Sequence, residues 1–99
     1  MGDGIHGFLV MRTAADESEI LNLAVEPERR RQGIASALLA AALGASRAAG
    51  AKSVYLEVRE SNAVAIAFYS RNGFEPAGRR ARYYQNPPEA AVVMSLAFF

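Results

Sequence analysis

The sequence has no cysteine. That excludes disulfides, thiolate metal sites and a cysteine nucleophile, and it permits a reducing compartment. Any thiol chemistry must arrive with a ligand. Long apolar runs are also lacking: the longest such stretch, residues 34–43, is alanine-rich and well short of the roughly 20 residues that a membrane-spanning helix needs. Residues 1–6 lack the basic region and apolar core of a secretory signal. A cytoplasmic location without a membrane partner is therefore expected. The formal net charge of +1 provides no general excess of Lys and Arg to meet phosphates, which argues against a nucleic-acid partner. The single histidine, His6, has no companion at metal-ligand spacing, so it is read as incidental and no metal is expected.

What is present fits one small globular domain: 99 residues, 52% apolar and 21% charged. A chain of this size buries only about two-thirds of the surface that it exposes when unfolded, so its stability should be modest. Residues 5–12 and 20–25 are rich in β-formers and read as a hairpin around a polar stretch at 14–19, with Pro27 ending the second strand. Ile34, Leu38, Ala41, Ala42 and Ala45 recur at helical spacing over residues 33–49, and Gly50 is a natural stop. Residues 53–58 alternate, with Val54, Leu56 and Val58 on one face and Tyr55 and Glu57 on the other. Ser61 or Asn62 caps a second helix that runs to Arg71, and Gly73 closes it. Two last β-prone runs, 81–84 and 91–98, flank a turn at Asn86, Pro87 and Pro88. The predicted order is β-β-α-β-α-β-β, an α+β fold with a mixed, mostly antiparallel sheet.

The positive charges are clustered. Arg79, Arg80 and Arg82 form one group, and Arg29, Arg30 and Arg31 stand directly before Gln32, Gly33, Ile34 and Ala35 at the start of the long helix. Free backbone N–H groups and the positive end of the dipole make such a start able to hold a pyrophosphate where no side chain blocks the approach. Gly33 and Ala35 would leave that access, and the arginines would add charge-assisted contacts. A glycine needed only for a tight connection, beside solvated arginines, explains the same residues about equally well. At this helix start neither G-x-G-x-x-G nor the P-loop pattern occurs.

Two motifs together resemble the GNAT acetyltransferase family. Arg30-x-x-Gly33-x-Ala35 matches its acyl-CoA-binding signature, [RQ]-x-x-G-x-[GA]. Leu56-Glu57-Val58-Arg59-Glu60-Ser61-Asn62, followed by Phe68-Tyr69 and Asn72-Gly73-Phe74, is similar to the later motif, in the wording of RimI-like members that acetylate the N-terminal alanine of a ribosomal protein. The resemblance covers about residues 5–97.

It implies a three-layer α/β/α fold and transfer of acetyl from acetyl-CoA to an amine, in first place a protein N-terminus, without a metal. A small-molecule amine acceptor, or a non-catalytic CoA-binding remnant, would carry the same motifs. The implied cofactor contacts are Leu23, Ala24 and Val25 with the pantetheine arm, and Arg30, Arg31, Gln32, Gly33, Ile34, Ala35 and Ser36 with the phosphates. Tyr69 takes the place of the general acid that protonates departing CoA; an aromatic packed between helix and sheet is its plainer reading. Glu57 takes the place of the general base, or is a solvated strand carboxylate paired with Arg59 or with a cation of the acceptor. Asn62 could bond the CoA arm or Tyr69, though a helix cap explains it better. Tyr83 and Tyr84 fall near where the family grips its acceptor, although aromatic residues beside a strand are more often there for packing, which leaves both roles open. RimI-like domains carry a strand, two helices and another strand ahead of the hairpin seen here, so a fragment, or a short member completed by a second copy as a homodimer, is expected.

Overall fold

The structure, a computed structural model, describes residues 7–26, 33–85 and 88–98. Its elements run β1 (Gly7–Ala14), β2 (Glu17–Val25), α1 (Ile34–Ala48), β3 (Ser53–Arg59), α2 (Ala63–Arg71), β4 (Glu75–Tyr84) and β5 (Glu89–Ala97). This is the predicted order. The strands form one five-stranded sheet ordered β1-β2-β3-β5-β4. All neighbours are antiparallel except β2 and β3, which α1 joins as a parallel pair.

The hairpin is longer and tighter than its polar sequence suggests. The expected loop at 14–19 shrinks to Ala15 and Asp16, with Ala15 at φ 55. Ser18 misleads because its polarity is used inside: it is fully buried, and its hydroxyl bonds Ser46 of α1 and, at 2.7 Å, Thr13. The Asp16 carbonyl accepts the Lys52 N–H at 2.6 Å and so fastens the turn to the start of β3.

Strand β4 also begins earlier than predicted, at Glu75 rather than near Ala81. Pro76, Gly78 and paired arginines do not read as a strand. They are tolerated because β4 is the outermost strand, where a residue without an N–H costs little and the register slips between Pro76 and Gly78.

Alternation divides the sheet into two unlike faces. Val54, Leu56 and Val58 of β3 stand opposite Leu96, Met94 and Val92 of β5, and all six turn to the side where α1 and α2 pack. Leu39 of α1 and Val54, Leu56 and Met94 are at most 2% exposed, and Tyr69 and Phe74 close this core from the α2 side. Burying side chains of this kind contributes about 1.5–3 kcal/mol each. Gly7 allows α1 to sit down on β1, since a Cβ there would lie 2.9 Å from the Ala24 carbonyl and 3.2 Å from both Ile34 and Leu38. The other face carries no helix among the described residues. It holds ion pairs, Arg12 with Glu19 and Arg59 with Glu89, and the exposed Phe8 and Val10 at the β1 end. The described chain thus provides the sheet and one helical layer.

Candidate active site

The parallel pair comes apart. β2 and β3 stay in register from Glu17↔Ser53 to Ile20↔Leu56 and no further, although β2 runs on to Val25 and β3 to Arg59. The divergence starts at a bulge: Val10 faces Asn22 and Met11 faces Ile20, which leaves Leu21 as the extra residue of β2. An extra residue bends its strand and sharpens the local twist. Beyond Leu56 the sheet therefore opens, and a cleft passes through it from one face to the other.

On the helical face residues 23–25 of β2 and 33–36 at the start of α1 line the cleft, opposite Val64, Phe68 and Arg71 of α2. On the bare face Leu21, Asn22, Glu57, Arg59 and Tyr84 line it. The two halves share Leu23, Asn62, Ala65 and Tyr69, which mark the point where they meet.

Tyr69 is 7% exposed, its ring set edge-on to Phe68 at 5.2 Å and to Phe74 at 5.5 Å. No described residue shares a hydrogen bond with its hydroxyl, yet no buried side-chain oxygen or nitrogen in the described structure lacks a partner, so this hydroxyl opens into the cleft. Burial pushes the phenol above its ordinary value of 10.0. At neutral pH it therefore keeps its proton.

Glu57 lies across the junction from Tyr69, on the opposite side of the sheet. Its carboxylate does not pair with Arg59, the partner that adjacency on the strand suggested. Arg80 Nη1 instead lies 3.1 Å from each of its oxygens. Arg59 reaches to Glu89 on the neighbouring strand β5 at 3.2 Å and lies 4.3 Å over the Tyr84 ring. Glu89 also accepts the Ser61 N–H at 2.6 Å, and hydrogen bonds from Ser61 first, then Arg59, hold its carboxyl below the usual range. The Tyr84 hydroxyl donates to the Glu57 carbonyl at a long 3.4 Å, and Tyr83 turns its ring to Arg80.

The two helix starts differ. Asn62 caps α2: its Oδ1 accepts the Ala65 N–H at 3.1 Å. At α1, Gly33 sits in the left-handed region at φ 77, and among the described residues no side chain caps the helix and no acidic residue occupies its first turn. Its first helical backbone bond runs from Ala37 to Gly33, which leaves the N–H groups of residues 34–36 at the cleft mouth without a cap among the described residues. Such an end favours an anion. The sheet side matches it: with no β3 partner past Ile20, the inner edge of residues 21–24 is open to an extended ligand. These features fit the phosphates and the amide-bearing arm of a coenzyme A thioester, respectively.

Of the residues singled out in the sequence, Leu23, Ala24, Val25, Gly33, Ile34, Ala35, Ser36, Asn62 and Tyr69 line one half of this cleft and Glu57 the other. Arg30, Arg31 and Gln32, with His6, lie outside the described residues, as does the side chain of Arg82. Sequence reasoning missed Val64, Phe68 and Arg71, although their i, i+4, i+7 spacing defines one helix face, and it missed Arg80 as the partner of Glu57.

A sheet split beyond a parallel pair, with an uncapped helix start on one side and a phenol at the crossing, is an acyltransferase architecture. Residues 2–74 match the acetyltransferase (GNAT) family, and the chain belongs to it. Within the family it is 39% identical over 97 residues to a ribosomal protein bS18-alanine N-acetyltransferase of Haemophilus ducreyi, covering 95% of this chain and 67% of that protein. The crystal structure of the corresponding Escherichia coli enzyme superposes with a TM-score of 0.85 at 37% identity, over 93% of this chain and 61% of the other. A chain of the NatC complex, crystallised with a Gag peptide and CoA, gives a TM-score of 0.81 at 28% identity, over 92% of this chain and 58% of that one. The chain thus spans about two-thirds of the length of these relatives or less.

Proposed function

We propose that the chain acts as an acetyl-CoA-dependent N-acetyltransferase on a protein N-terminal α-amino group, of the ribosomal-protein-alanine type. The observation that carries this reading is the crossing of the two half-clefts at the Tyr69 hydroxyl. Similarity to alanine N-acetyltransferases over nearly the whole chain supports the choice of acceptor.

In this reading acetyl-CoA enters from the helical side, its pyrophosphate at the uncapped start of α1 and its pantetheine arm along residues 23–25. The acceptor enters from the bare face, past Tyr84. An α-ammonium group ordinarily titrates at about pH 7.7–8.0, so a weak base suffices to free the amine. Glu57 accepts that proton, directly or through water, and later gives it to solvent. The amine lone pair then attacks the thioester carbonyl, the C–S bond breaks, Tyr69 protonates the departing sulfur, and the second nitrogen proton restores the phenol. An acceptor on a ribosomal protein would place the chain in the cytoplasm. The eight-residue edge strand β1, with Phe8 and Val10 exposed, supports self-association through that edge; sedimentation showing monomers alone at high concentration would remove that part of the proposal.

The test is thiol release from acetyl-CoA with a peptide beginning in alanine, the same peptide blocked at its N-terminus, and a panel of small amines. Turnover with the free peptide and none with the blocked one is expected. Turnover confined to small amines would move the acceptor class, and none with any amine would leave a CoA-binding domain.

A further inference from the structure

Glu57 and Arg80 are a lopsided pair. The carboxylate side chain is 13% exposed and the guanidinium side chain 55%. Arg80 stands on the outermost strand, and its ion pair crosses β5 where Ala91, register partner of both Arg80 and Arg59, is small and fully buried. On its outer side Arg80 lies 4.2 Å over the Tyr83 ring. No other described group bonds the Glu57 carboxylate, and the neighbouring cations cannot replace Arg80: Arg59 is held by Glu89 and Tyr84, and Arg79 by Glu60.

Only one nitrogen of Arg80 is used, placed between the two oxygens at equal distance. A carboxylate offers about four lone-pair positions, so this contact leaves the outer ones for a second donor. We infer that Arg80 is a positioning residue for the acceptor side of the cleft: it holds the Glu57 carboxylate in the one orientation that presents its free lone pairs to the incoming amine, with Tyr83 fixing Arg80 in turn. This rests on Glu57 being the proton acceptor.

The contact through a single nitrogen yields a discriminating test. Arg80→Ala should lower kcat with an alanine-initiated peptide by about 10- to 100-fold, the scale expected of a misplaced catalytic group, while the dissociation constant for acetyl-CoA stays within about twofold. Arg80→Lys, with one nitrogen to offer, should restore most of the loss, and Tyr83→Leu should show a smaller loss of the same kind. In a Glu57→Gln background Arg80→Ala should cost nothing further. Equal losses in both backgrounds, an unchanged Arg80→Ala, or a folded Arg80→Lys as poor as alanine would overturn the inference. Glu57→Gln with wild-type turnover would instead sink the role of Glu57. A readout without turnover separates the two: the Arg80 guanidinium N–H resonance should be protected from exchange in the parent and exposed in Glu57→Gln, and an unprotected resonance in the parent contradicts the pair itself.

Discussion

The side-chain oxygen of Asn62 accepts the Ala65 N–H at 3.1 Å, and by that bond the residue at the crossing of the two half-clefts is committed to starting the helix that carries Tyr69. One of its two lone pairs is thus used by the backbone. Asn62→Ala should cost about 1 kcal/mol in urea unfolding, and Asn62→Asp should keep both the cap and turnover within a few-fold. Loss of turnover in a fully stable Asn62→Asp would show that the amide contacts substrate instead.

Tyr69→Phe keeps the ring contacts with Phe68 and Phe74 and removes only the hydroxyl that opens into the cleft. A positioned proton donor contributes about 10²–10⁴-fold. kcat should fall within that range while acetyl-CoA binding is retained; a change in affinity without a change in kcat would make the hydroxyl a binding group.

The same phenol leaves a mark on stability. Burial raises its pKa in the folded protein above the 10.0 that it has when unfolded, so the folded state holds the proton more tightly. Its contribution is complete below pH 10 and is lost as pH rises through the higher folded value. Above pH 10 the parent should lose stability more steeply than Tyr69→Phe in denaturant titrations. Parallel slopes would mean that the phenol ionises as freely folded as unfolded.

Ala15 holds a left-handed conformation, φ 55, in the two-residue turn between β1 and β2. A Cβ is strained there and glycine is not. Ala15→Gly should therefore raise stability by about 1 kcal/mol, seen as a higher urea midpoint with unchanged slope, and leave turnover as it was. A lower midpoint would show that the turn is not strained.

These sites were unequally legible. Both helices, their glycine stops and the inward row Val54, Leu56, Val58 follow from local periodicity, which needs no knowledge of neighbours. The start of β4 does not, because Pro76 and Gly78 are acceptable only on an outermost strand. Ser18 reads as surface until Ser46 is found beside it. In the cleft, the residues of the α1 start and Tyr69 could be named from motif and spacing. The partner of Glu57 could not: adjacency points to Arg59, whereas the actual contact comes from two strands away, across a register that slips on both sides of Arg80.

The central claim is that the uncapped start of α1 and the open edge of β2 form a coenzyme site. Calorimetric titration of the chain with acetyl-CoA tests it most directly, in parallel with Gly33→Glu and Gly33→Ala. A Cβ at Gly33 meets nothing within 4 Å among the described residues, so both variants bear the backbone strain of the left-handed position, about 1–2 kcal/mol, and the glutamate alone adds a carboxylate where the phosphates would bind. Saturable one-to-one binding by the parent, lost in Gly33→Glu and weakened far less in Gly33→Ala, is the predicted result. No binding by a folded parent, or equal binding by the parent and a folded Gly33→Glu, would contradict it.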